Sequence, residues 1–443
     1  MRGRLKAAPV PLAAPPAFDR CLNGPAAAPV AVALSGGGDS LALLHLAKAW
    51  ADRADRRLTA MTVDHGLNPA SAGWTRFAAE RAGRLGVPHR TLVWQGAKPA
   101  TGLPAAARAA RHALLADAAR AEGAAVILMG HTADDLMEAA AMRGAGASAP
   151  SPRVWSPSPA WPEGRGVFLL RPLLTYRRAE LRELLALLGE TWIEDPANDD
   201  PRFARTLARR RLAARGATAP TVVEAVAPWP GLGDVRAGLA GEFAIPRHRL
   251  GAPDTETRRA LGALATCAAG TARAPAAAQL ERITARLAAD EDFAASLAGA
   301  RIEARGGAVL ICREAGERVR QALQPAPLPP GESVFDGRFE ITSSATDRQI
   351  SFLAGHAARL PPDQRRRLAT VPAAARGALP AIISPGGDIT CPLLTESGLT
   401  ESGLADTNPA CIRRLTFARL CATLGGAEDE ASFWRVAKLT PGP

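Results

Sequence analysis

A short serine- and glycine-rich stretch at residues 35–40 constrains the fold of this chain more than any other feature. It reads Ser-Gly-Gly-Gly-Asp-Ser, follows an apolar run at residues 30–34 and comes directly before a helical apolar pattern. Glycine lets the backbone turn tightly and approach a ligand closely, and the amides at the start of a helix attract anions. The stretch therefore predicts a strand, a phosphate-binding loop and a helix, in that order.

The side chains of this loop suggest which phosphate chemistry it serves. Ser35 and Ser40 supply hydroxyl donors, and Asp39 can hold a divalent cation such as Mg²⁺ against phosphates. The Gly-Lys-Ser/Thr ending of a Walker loop is absent, so γ-phosphate transfer is not the first expectation. A flexible turn is the alternative for a glycine triplet alone. We expect the phosphates of ATP to contact Ser35, Gly36, Gly37, Gly38, Asp39 and Ser40.

Composition limits the class of protein. A chain of 443 residues is long enough for two to four domains. Its net charge of +11 fits a polyanionic partner, although a generally basic protein is an equally simple interpretation. The six cysteines form no C-x-x-C pair, which predicts neither a zinc nor an iron–sulfur site and suits a reducing cytoplasm. No apolar stretch is long enough to cross a membrane, so we expect no membrane partner and a cytoplasmic location.

Strand-like and helical patterns alternate after the loop. Residues 57–64, 88–94 and 124–130 are typical of strands, and residues 71–85 and 103–121 are typical of helices. This alternation predicts an α/β domain with a parallel sheet. Ligands of such sheets bind beyond the carboxyl ends of the strands, and the candidate polar residues follow predicted strands.

Glycine and proline clusters divide the rest of the chain. They occur around residues 213–231 and 324–331, and another at 144–166 predicts a docked loop because it contains Trp155 and Trp161. The predicted organisation is an N-terminal extension at 1–27, a catalytic α/β domain at 28–215, a mostly helical middle domain at 216–323 and a smaller mixed α+β domain at 332–443.

Two carboxylates and two arginines are the strongest candidates outside the loop. Asp135 and Glu138 are three residues apart, so they share one helical face and can bind a cation, a substrate ammonium or both. Complementarity to the helix dipole is the simpler alternative. Arg108 and Arg111 have the same spacing and suit phosphate or RNA, with a solvated helix face as their alternative.

Weaker candidates complete the predicted site. Asp64 and His65 follow a predicted strand and can contact the nucleotide, although a histidine at a strand end is more often structural. Arg143 lies about one turn beyond Glu138 and can face the same cleft. The basic stretch at 205–215, which includes Arg205 and Arg209, predicts an RNA-backbone surface. A solvated basic helix is the alternative for that stretch.

Seven motifs in a fixed order resemble those of the tRNA(Ile)-lysidine synthases, a family of N-type ATP pyrophosphatases. The match covers about residues 28–215 and implies an adenine-nucleotide-hydrolase-like fold. The motifs are Ser-Gly-Gly-x-Asp-Ser at 35–40, Val-Asp-His-Gly-Leu at 63–67, Ala-Arg-x-x-Arg at 107–111, His-x-Ala-Asp-Asp-x-x-Glu at 131–138, Arg-Gly-x-Gly at 143–146, Arg-Pro-Leu-Leu at 171–174 and Asp-Pro-x-Asn at 195–198. The family's Gly-Leu-x-Gly segment is replaced here by the loop at 144–166.

The resemblance implies a reaction in two steps. ATP adenylates the C2 carbonyl oxygen of the wobble cytidine, C34, in the CAU anticodon of a minor tRNA(Ile), and L-lysine then displaces AMP to form lysidine. By the same resemblance Asp39 binds Mg²⁺, Asp135 and Glu138 hold the lysine, and Arg108 and Arg111 steady the adenylate or a tRNA phosphate. Arg143, Arg205 and Arg209 are expected to contact tRNA.

Three alternatives remain open from the sequence. A tRNA thiolase of the same fold needs a sulfur-carrying cysteine or a cluster, which the missing C-x-x-C disfavours. A glutamine-dependent amidotransferase needs a glutaminase domain, and none is recognisable. The third alternative is a basic RNA-binding protein that keeps only a relic of a nucleotide-binding fold. It is disfavoured because such a protein needs neither an intact loop nor paired carboxylates. The oligomeric state is not predicted.

Overall fold

The computed structural model describes residues 14–146, 151–195, 204–213, 228–314, 316, 325–395, 410–425 and 428–432. The chain forms two compact units. The first comprises residues 1–227 with residues 427–437, and the second comprises residues 228–426 with residues 438–443. Within the described residues, no helix is both long enough and apolar enough to cross a membrane.

The first unit contains a six-stranded sheet and its helices. In chain order its elements are α1 (Pro16–Cys21), β1 (Val30–Ala33), α2 (Gly38–Ala54), β2 (Leu58–Asp64), α3 (Ser71–Arg84), β3 (His89–Val93), α4 (Leu103–Ala121), β4 (Val126–Leu128), α5 (Ala133–Gly144), β5 (Trp155–Pro157), β6 (Phe168–Leu170), α6 (Arg178–Leu187) and α7 (Ala204–Ala213).

The strand order of this sheet creates the binding edge. The order is β3-β2-β1-β4-β6-β5, and every pair is parallel except β5 with β6. The chain runs outward from β1 to β3 and then returns to place β4 on the other side of β1. Such a reversal opens a crevice at the carboxyl ends of the two central strands. The predicted parallel α/β domain is confirmed, and β1 and β4 flank its crevice.

Burial explains why these short strands form. All four residues of β1 and all three of β4 are buried, as expected of central parallel strands covered by helices on both faces. Helix α2 behind β1 is also largely buried. The Phe18 ring of α1 lies 5.6 Å from the Trp50 ring of α2, so the segment before β1 packs onto this domain.

A buried ion pair ties a distant segment to the first unit. Arg56 follows α2 and binds Glu430, whose side chain is fully buried; Arg56 Nη2 lies 3.0 Å from Glu430 Oε1. The backbone N–H of Gly24 also donates to Glu430. Residues near the C-terminus therefore complete the packing beside β1.

The predicted docked loop at 144–166 contains a strand. Trp155 begins β5, and its ring stacks on Phe168 of β6 at 4.8 Å. Arg171 donates to the backbone carbonyl of Arg153 and to the hydroxyl of Ser156. The described part of this loop is thus held against the sheet edge, whereas residues 147–150 lie outside the described residues.

The described part of the second unit contains three antiparallel sheets. In chain order its elements are β7 (Arg236–Ala237), β8 (Phe243–Pro246), α8 (Thr255–Ala269), α9 (Ala277–Ala288), β9 (Phe293–Leu297), β10 (Ala300–Arg305), β11 (Ala308–Arg313), β12 (Ala326–Pro327), β13 (Gly331–Phe335), β14 (Phe339–Ser343), β15 (Gln349–Phe352), α10 (Pro362–Leu368), α11 (Ala373–Arg376), β16 (Pro380–Ile383), β17 (Ile389–Thr390), β18 (Ala410–Arg414) and α12 (Thr416–Thr423). The sheet orders are β7-β8-β11-β10-β9, β12-β15-β16-β17 and β13-β14-β18.

The middle region differs from the mostly helical domain that we predicted. Helices α8 and α9 of this region are accompanied by the five-stranded sheet. Strand β10 is rich in alanine, arginine and glutamate, which favour helices in isolation. Alternating burial along β10 and pairing with β9 and β11 override that preference. The outcome is a mixed α/β region.

Candidate active site

The serine- and glycine-rich loop has the predicted strand–loop–helix geometry. Strand β1 ends at Ala33, and α2 begins at Gly38 with Gly37 as its N-cap. The N-cap glycine has no side chain with which to bond the first amides of α2, so they are suited to an anion. The hydroxyls of Ser35 and Ser40 lie 3.0 Å apart, and Ser40 Oγ donates to the Gly37 carbonyl at 2.9 Å. These bonds close the loop around the helix start.

A segment from beyond α6 supports the loop from outside. The N–H of Ile193 donates to the carbonyl of Gly36 at 2.9 Å, and Ile193 forms a parallel bridge with Gly37. Gly36 has a φ of +84°, and a Cβ there would lie 2.5 Å from Cδ1 of Ile193. The ring of Trp192 lies against Gly38. The loop therefore requires glycine at residue 36 for conformation and for space.

Gly36→Ala is expected to destabilise the protein and to weaken ATP binding. A left-handed conformation costs a non-glycine residue roughly 1–2 kcal/mol, and the end of the Ile193 side chain must also shift to make room for the new methyl group. Gly86→Ala is the matched control, because Gly86 also has a positive φ but no atom lies within 4 Å of the added Cβ. Urea unfolding and ATP titration measure the difference. Equal losses in the two variants would show that the Ile193 contact does not constrain the loop.

The second part of the site begins where β4 ends. Thr132 is the N-cap of α5, and its backbone N–H donates to Asp135 Oδ2 at 2.8 Å in a capping box. Gly130 allows this turn to approach α2, since a Cβ there would lie 3.2 Å from backbone atoms of Asp39 and Ser40. Asp135 thus belongs to the capping box and also lies close enough to Asp39 for its charge to act on that carboxyl.

Three carboxylates from two helices meet at one guanidinium. Arg178, the first residue of α6, donates from Nε to Asp39 Oδ2 at 2.9 Å. Its Nη1 lies 3.2 Å from Glu138 Oε1, and its Nη2 lies 3.7 Å from Asp135 Oδ2. Glu138 Oε1 also accepts from Arg209 Nε at 2.9 Å. The structure therefore brings together Asp39, Asp135 and Glu138, as their positions after β1 and β4 predicted.

Burial and charge set the protonation of this cluster. Burial raises the pKa of Asp39, and the attraction of Arg178 only partly opposes that shift. Burial alone would lower the pKa of Arg178, but the charges of Asp39, Asp135 and Glu138 raise it above its usual value. Arg178 is therefore a permanent cation in the cluster, whereas an ionised Asp39 is held at a cost in free energy.

Asp134 points to a different partner from its neighbour Asp135. Its carboxylate accepts two bonds from Arg177, at 3.0 and 3.2 Å, and one from the backbone N–H of Arg178. Burial tends to raise the pKa of Asp134, but these bonds outweigh it and lower that pKa. Asp134 thereby anchors the start of α6 to α5 and fixes Arg178 over the site.

Asp64 and His65 lie at the carboxyl end of β2, as predicted. Asp64 Oδ1 accepts the backbone N–H of Gly66 at 2.8 Å and so closes the turn after the strand. The ring of His65 packs edge-on against Trp94 at 6.0 Å. Burial and the charge of Arg111 lower the pKa of His65. His65 is therefore neutral at physiological pH, and its role toward ATP stays a prediction.

The two arginines of α4 give a positive potential to the edge of the site around His112 and Arg171. Arg108 is exposed and Arg111 is partly exposed. Burial, followed by the charges of both arginines, lowers the pKa of His112 to about 3. Burial and Arg108 lower the pKa of Arg171 to about 10, and Arg171 Nε lies 3.2 Å from Nδ1 of His131. This edge is strongly positive and suited to phosphate.

The predicted tRNA residues fall in different places. Arg143 is exposed in the last turn of α5. Arg209 lies on α7 and bonds Glu138, so it belongs to the carboxylate cluster in this structure. Arg205 lies on α7 as well, but its side chain is outside the described residues, as are Arg215 and the Asn198 motif position.

Sequence reasoning missed Arg178 and the supporting segment at Trp192 and Ile193. The Arg-Pro-Leu-Leu motif at 171–174 lies just before Arg178, and this proximity was the available signal. Among the described residues, no group of three or more His, Cys, Asp or Glu side chains is arranged to hold a metal ion. Mg²⁺ commonly binds through one or two carboxylates together with substrate phosphates. Asp39, partly exposed beside the phosphate loop, fits that donor set.

Comparison with known proteins identifies the family. The family model of the PP-loop domain matches residues 16–215 of this chain. The tRNA(Ile)-lysidine synthase of Caulobacter vibrioides is 45% identical over 94% of this chain and 98% of that protein. The synthase of Hyphomonas neptunium is 38% identical over 74% of this chain and 90% of its own length. That of Rhizobium meliloti is 34% identical over 71% of this chain and 73% of its own length. The chain therefore belongs to the tRNA(Ile)-lysidine synthase family and is an ATP-using ligase.

Proposed function

We propose that this enzyme joins the ε-amine of L-lysine to C2 of the wobble cytidine, C34, in the CAU anticodon of tRNA(Ile). The tRNA is first adenylated by ATP with release of pyrophosphate, and lysine then displaces AMP. The observation that carries this proposal is the meeting of Asp39 from the phosphate loop with Asp135 and Glu138 at one point. Similarity to lysidine synthases along nearly the whole chain supports the same reaction.

The loop and its flanking charges suit the adenylation step. The amides at the start of α2, with the hydroxyls of Ser35 and Ser40, bind the phosphates of ATP. Mg²⁺ would be held by Asp39 and would neutralise charge that builds on the departing pyrophosphate. The positive edge formed by Arg108 and Arg111 steadies the α-phosphate or a phosphate of the anticodon loop.

The carboxylates on α5 suit the transfer step. Glu138 and Asp135 are largely buried and negatively charged, so they select an ammonium group over a neutral side chain. The amine must lose a proton before it can attack C2, and a carboxylate within hydrogen-bond reach can accept that proton. Glu138 is the better acceptor, because Asp135 is committed to the capping box.

The basic character of the chain suits a tRNA substrate. Its net charge is +11, and Arg143, Arg205 and Arg209 are the residues that we propose to contact the tRNA near the site. We propose a cytoplasmic location because ATP and tRNA are both found there. A thiolase reaction is disfavoured, since Cys21 is the only cysteine of the first unit and is buried in α1.

A transfer assay tests this function. The purified protein is incubated with ATP, Mg²⁺, radiolabelled L-lysine and transcripts of tRNA(Ile) and tRNA(Met), which both carry a CAU anticodon. We expect lysine to be incorporated into the isoleucine transcript alone, with one pyrophosphate released for each lysine joined. Pyrophosphate release without lysine incorporation would assign the protein to another ATP-dependent RNA modification, and binding without turnover would indicate a relic fold.

A further inference from the structure

Arg178 connects the two halves of the site, the phosphate loop with Asp39 and the carboxylates of α5. Its three guanidinium nitrogens face three carboxylates, with Nε on Asp39, Nη1 on Glu138 and Nη2 toward Asp135. Asp39 belongs to the phosphate-loop helix α2, whereas the other two belong to α5. One side chain from a third helix thus holds both the nucleotide half and the amine half.

The location of Arg178 is unfavourable for a purely structural cation. It is the first residue of α6, where the helix dipole favours negative charge. Its charge is offset there by the cluster carboxylates and not by the helix. Its side chain is 19% exposed, so the guanidinium can reach a ligand at the mouth of the site. These features suit a cation that exchanges partners.

The observed contacts of Glu138 disfavour the approach of a lysine ammonium to its Oε1. Glu138 is 2% exposed, and its Oε1 already accepts from Arg178 and from Arg209. An ammonium that approached this oxygen would meet two guanidinium groups and would be repelled. ATP in the loop would offer Arg178 a second charge-assisted partner, because guanidinium groups bind phosphate as well as carboxylate.

We propose that Arg178 couples the two binding steps: without nucleotide it closes the amine site by pairing with Glu138 and Asp135, and with ATP bound it turns to the phosphates and opens that site. This inference rests on the proposed function, because it concerns the order in which ATP and lysine bind. Linkage requires that each ligand raises the affinity for the other by the same factor. Arg178 is accordingly a positioning residue.

Equilibrium dialysis of radiolabelled L-lysine against the full-length protein tests the coupling. The measurement is made with and without α,β-methylene ATP and Mg²⁺, in the absence of tRNA, so that no reaction occurs. We expect the nucleotide to tighten lysine binding about 5–150-fold in the wild type, the usual range for coupled sites. In Arg178→Gln the two affinities should agree within about twofold, with the nucleotide-free affinity raised above that of the wild type.

Two further variants separate this role from a general effect on folding. Arg177→Gln is the matched control: Arg177 is the adjacent arginine and pairs with Asp134, but its loss leaves the bond from the Arg178 N–H to Asp134 in place, so the coupling should be kept. Arg178→Lys keeps the charge but cannot span three carboxylates, so the coupling should fall even if the glutamine variant unfolds. Lysine binding weakened equally with and without nucleotide in Arg178→Gln would overturn the proposal. A wild type that binds no lysine in either condition would instead contradict the proposed function.

Discussion

Asp39→Asn is expected to reduce tRNA-dependent pyrophosphate release by about 10²–10³-fold, the loss typical when one group that stabilises transition-state charge is removed. Asp39 is the second residue of α2, next to the phosphate loop, and bonds Arg178 at 2.9 Å. Asparagine keeps its size but loses the charge that Mg²⁺ requires. A pyrophosphate-release assay with saturating tRNA measures the effect.

The surroundings of Asp39 also predict how Asp39→Asn affects the stability of the protein, and the same helix offers a control variant. Since burial raises the pKa of Asp39, its ionised form opposes folding at neutral pH, and the free energy of unfolding of Asp39→Asn should be unchanged or higher. Asp52→Asn removes an exposed carboxylate from the same helix and should leave pyrophosphate release unaffected. Binding of tRNA should survive in both variants. Pyrophosphate release by Asp39→Asn at the wild-type rate would remove Asp39 from the metal-binding role.

Glu138→Gln is expected to abolish lysine transfer while leaving tRNA-dependent pyrophosphate release largely intact. Glutamine cannot attract an ammonium or accept its proton, and we expect a fall of about 10²-fold or more in transfer. If Glu138 is the group that accepts the proton, Glu138→Gln should slow lysine transfer more than Asp135→Asn does. Single-turnover assays that follow labelled lysine and labelled pyrophosphate in the same reaction separate the two steps.

Glu138→Gln should also lower the free energy of unfolding. Removing one member of a fully buried ion pair costs about 3–5 kcal/mol, but the cost here should be smaller because Arg209 is 39% exposed and can turn to water. Glu80→Gln is the control, because its exposed carboxylate pairs with Arg84 within α3 and takes no part in the cluster. Wild-type lysine transfer by Glu138→Gln would exclude the role proposed for α5.

Most of the first unit could be predicted because its pattern is local. Helix α4 was predicted at residues 103–121 and has those bounds, and β2 differs from its prediction by one residue. Buried parallel strands show as continuous apolar runs, and the residues that follow them must lie at one edge of the sheet. That rule was enough to bring Asp39, Asp135 and Glu138 together, and the family resemblance is confirmed by the relatives.

The middle region could not be predicted in the same way. The sequence of β10, Ala-Arg-Ile-Glu-Ala-Arg, suits a helix, and its strand conformation depends on pairing with β9 and β11. Strand preference reflects neighbours across the sheet more than the residues themselves. A prediction from local pattern therefore assigned this region too much helix.

The sequence by itself determined the phosphate loop, the parallel sheet and the two carboxylates of α5, because each follows from short-range spacing and from the geometry of parallel strands. Only the tertiary structure decided which cation meets those carboxylates. Arg178 lies 139 residues from Asp39 and 40 from Glu138, and the segment at Ile193 reaches the loop from still farther along the chain. The buried pair of Arg56 and Glu430 joins residues 374 apart. Such contacts depend on packing between distant elements, which no local spacing encodes.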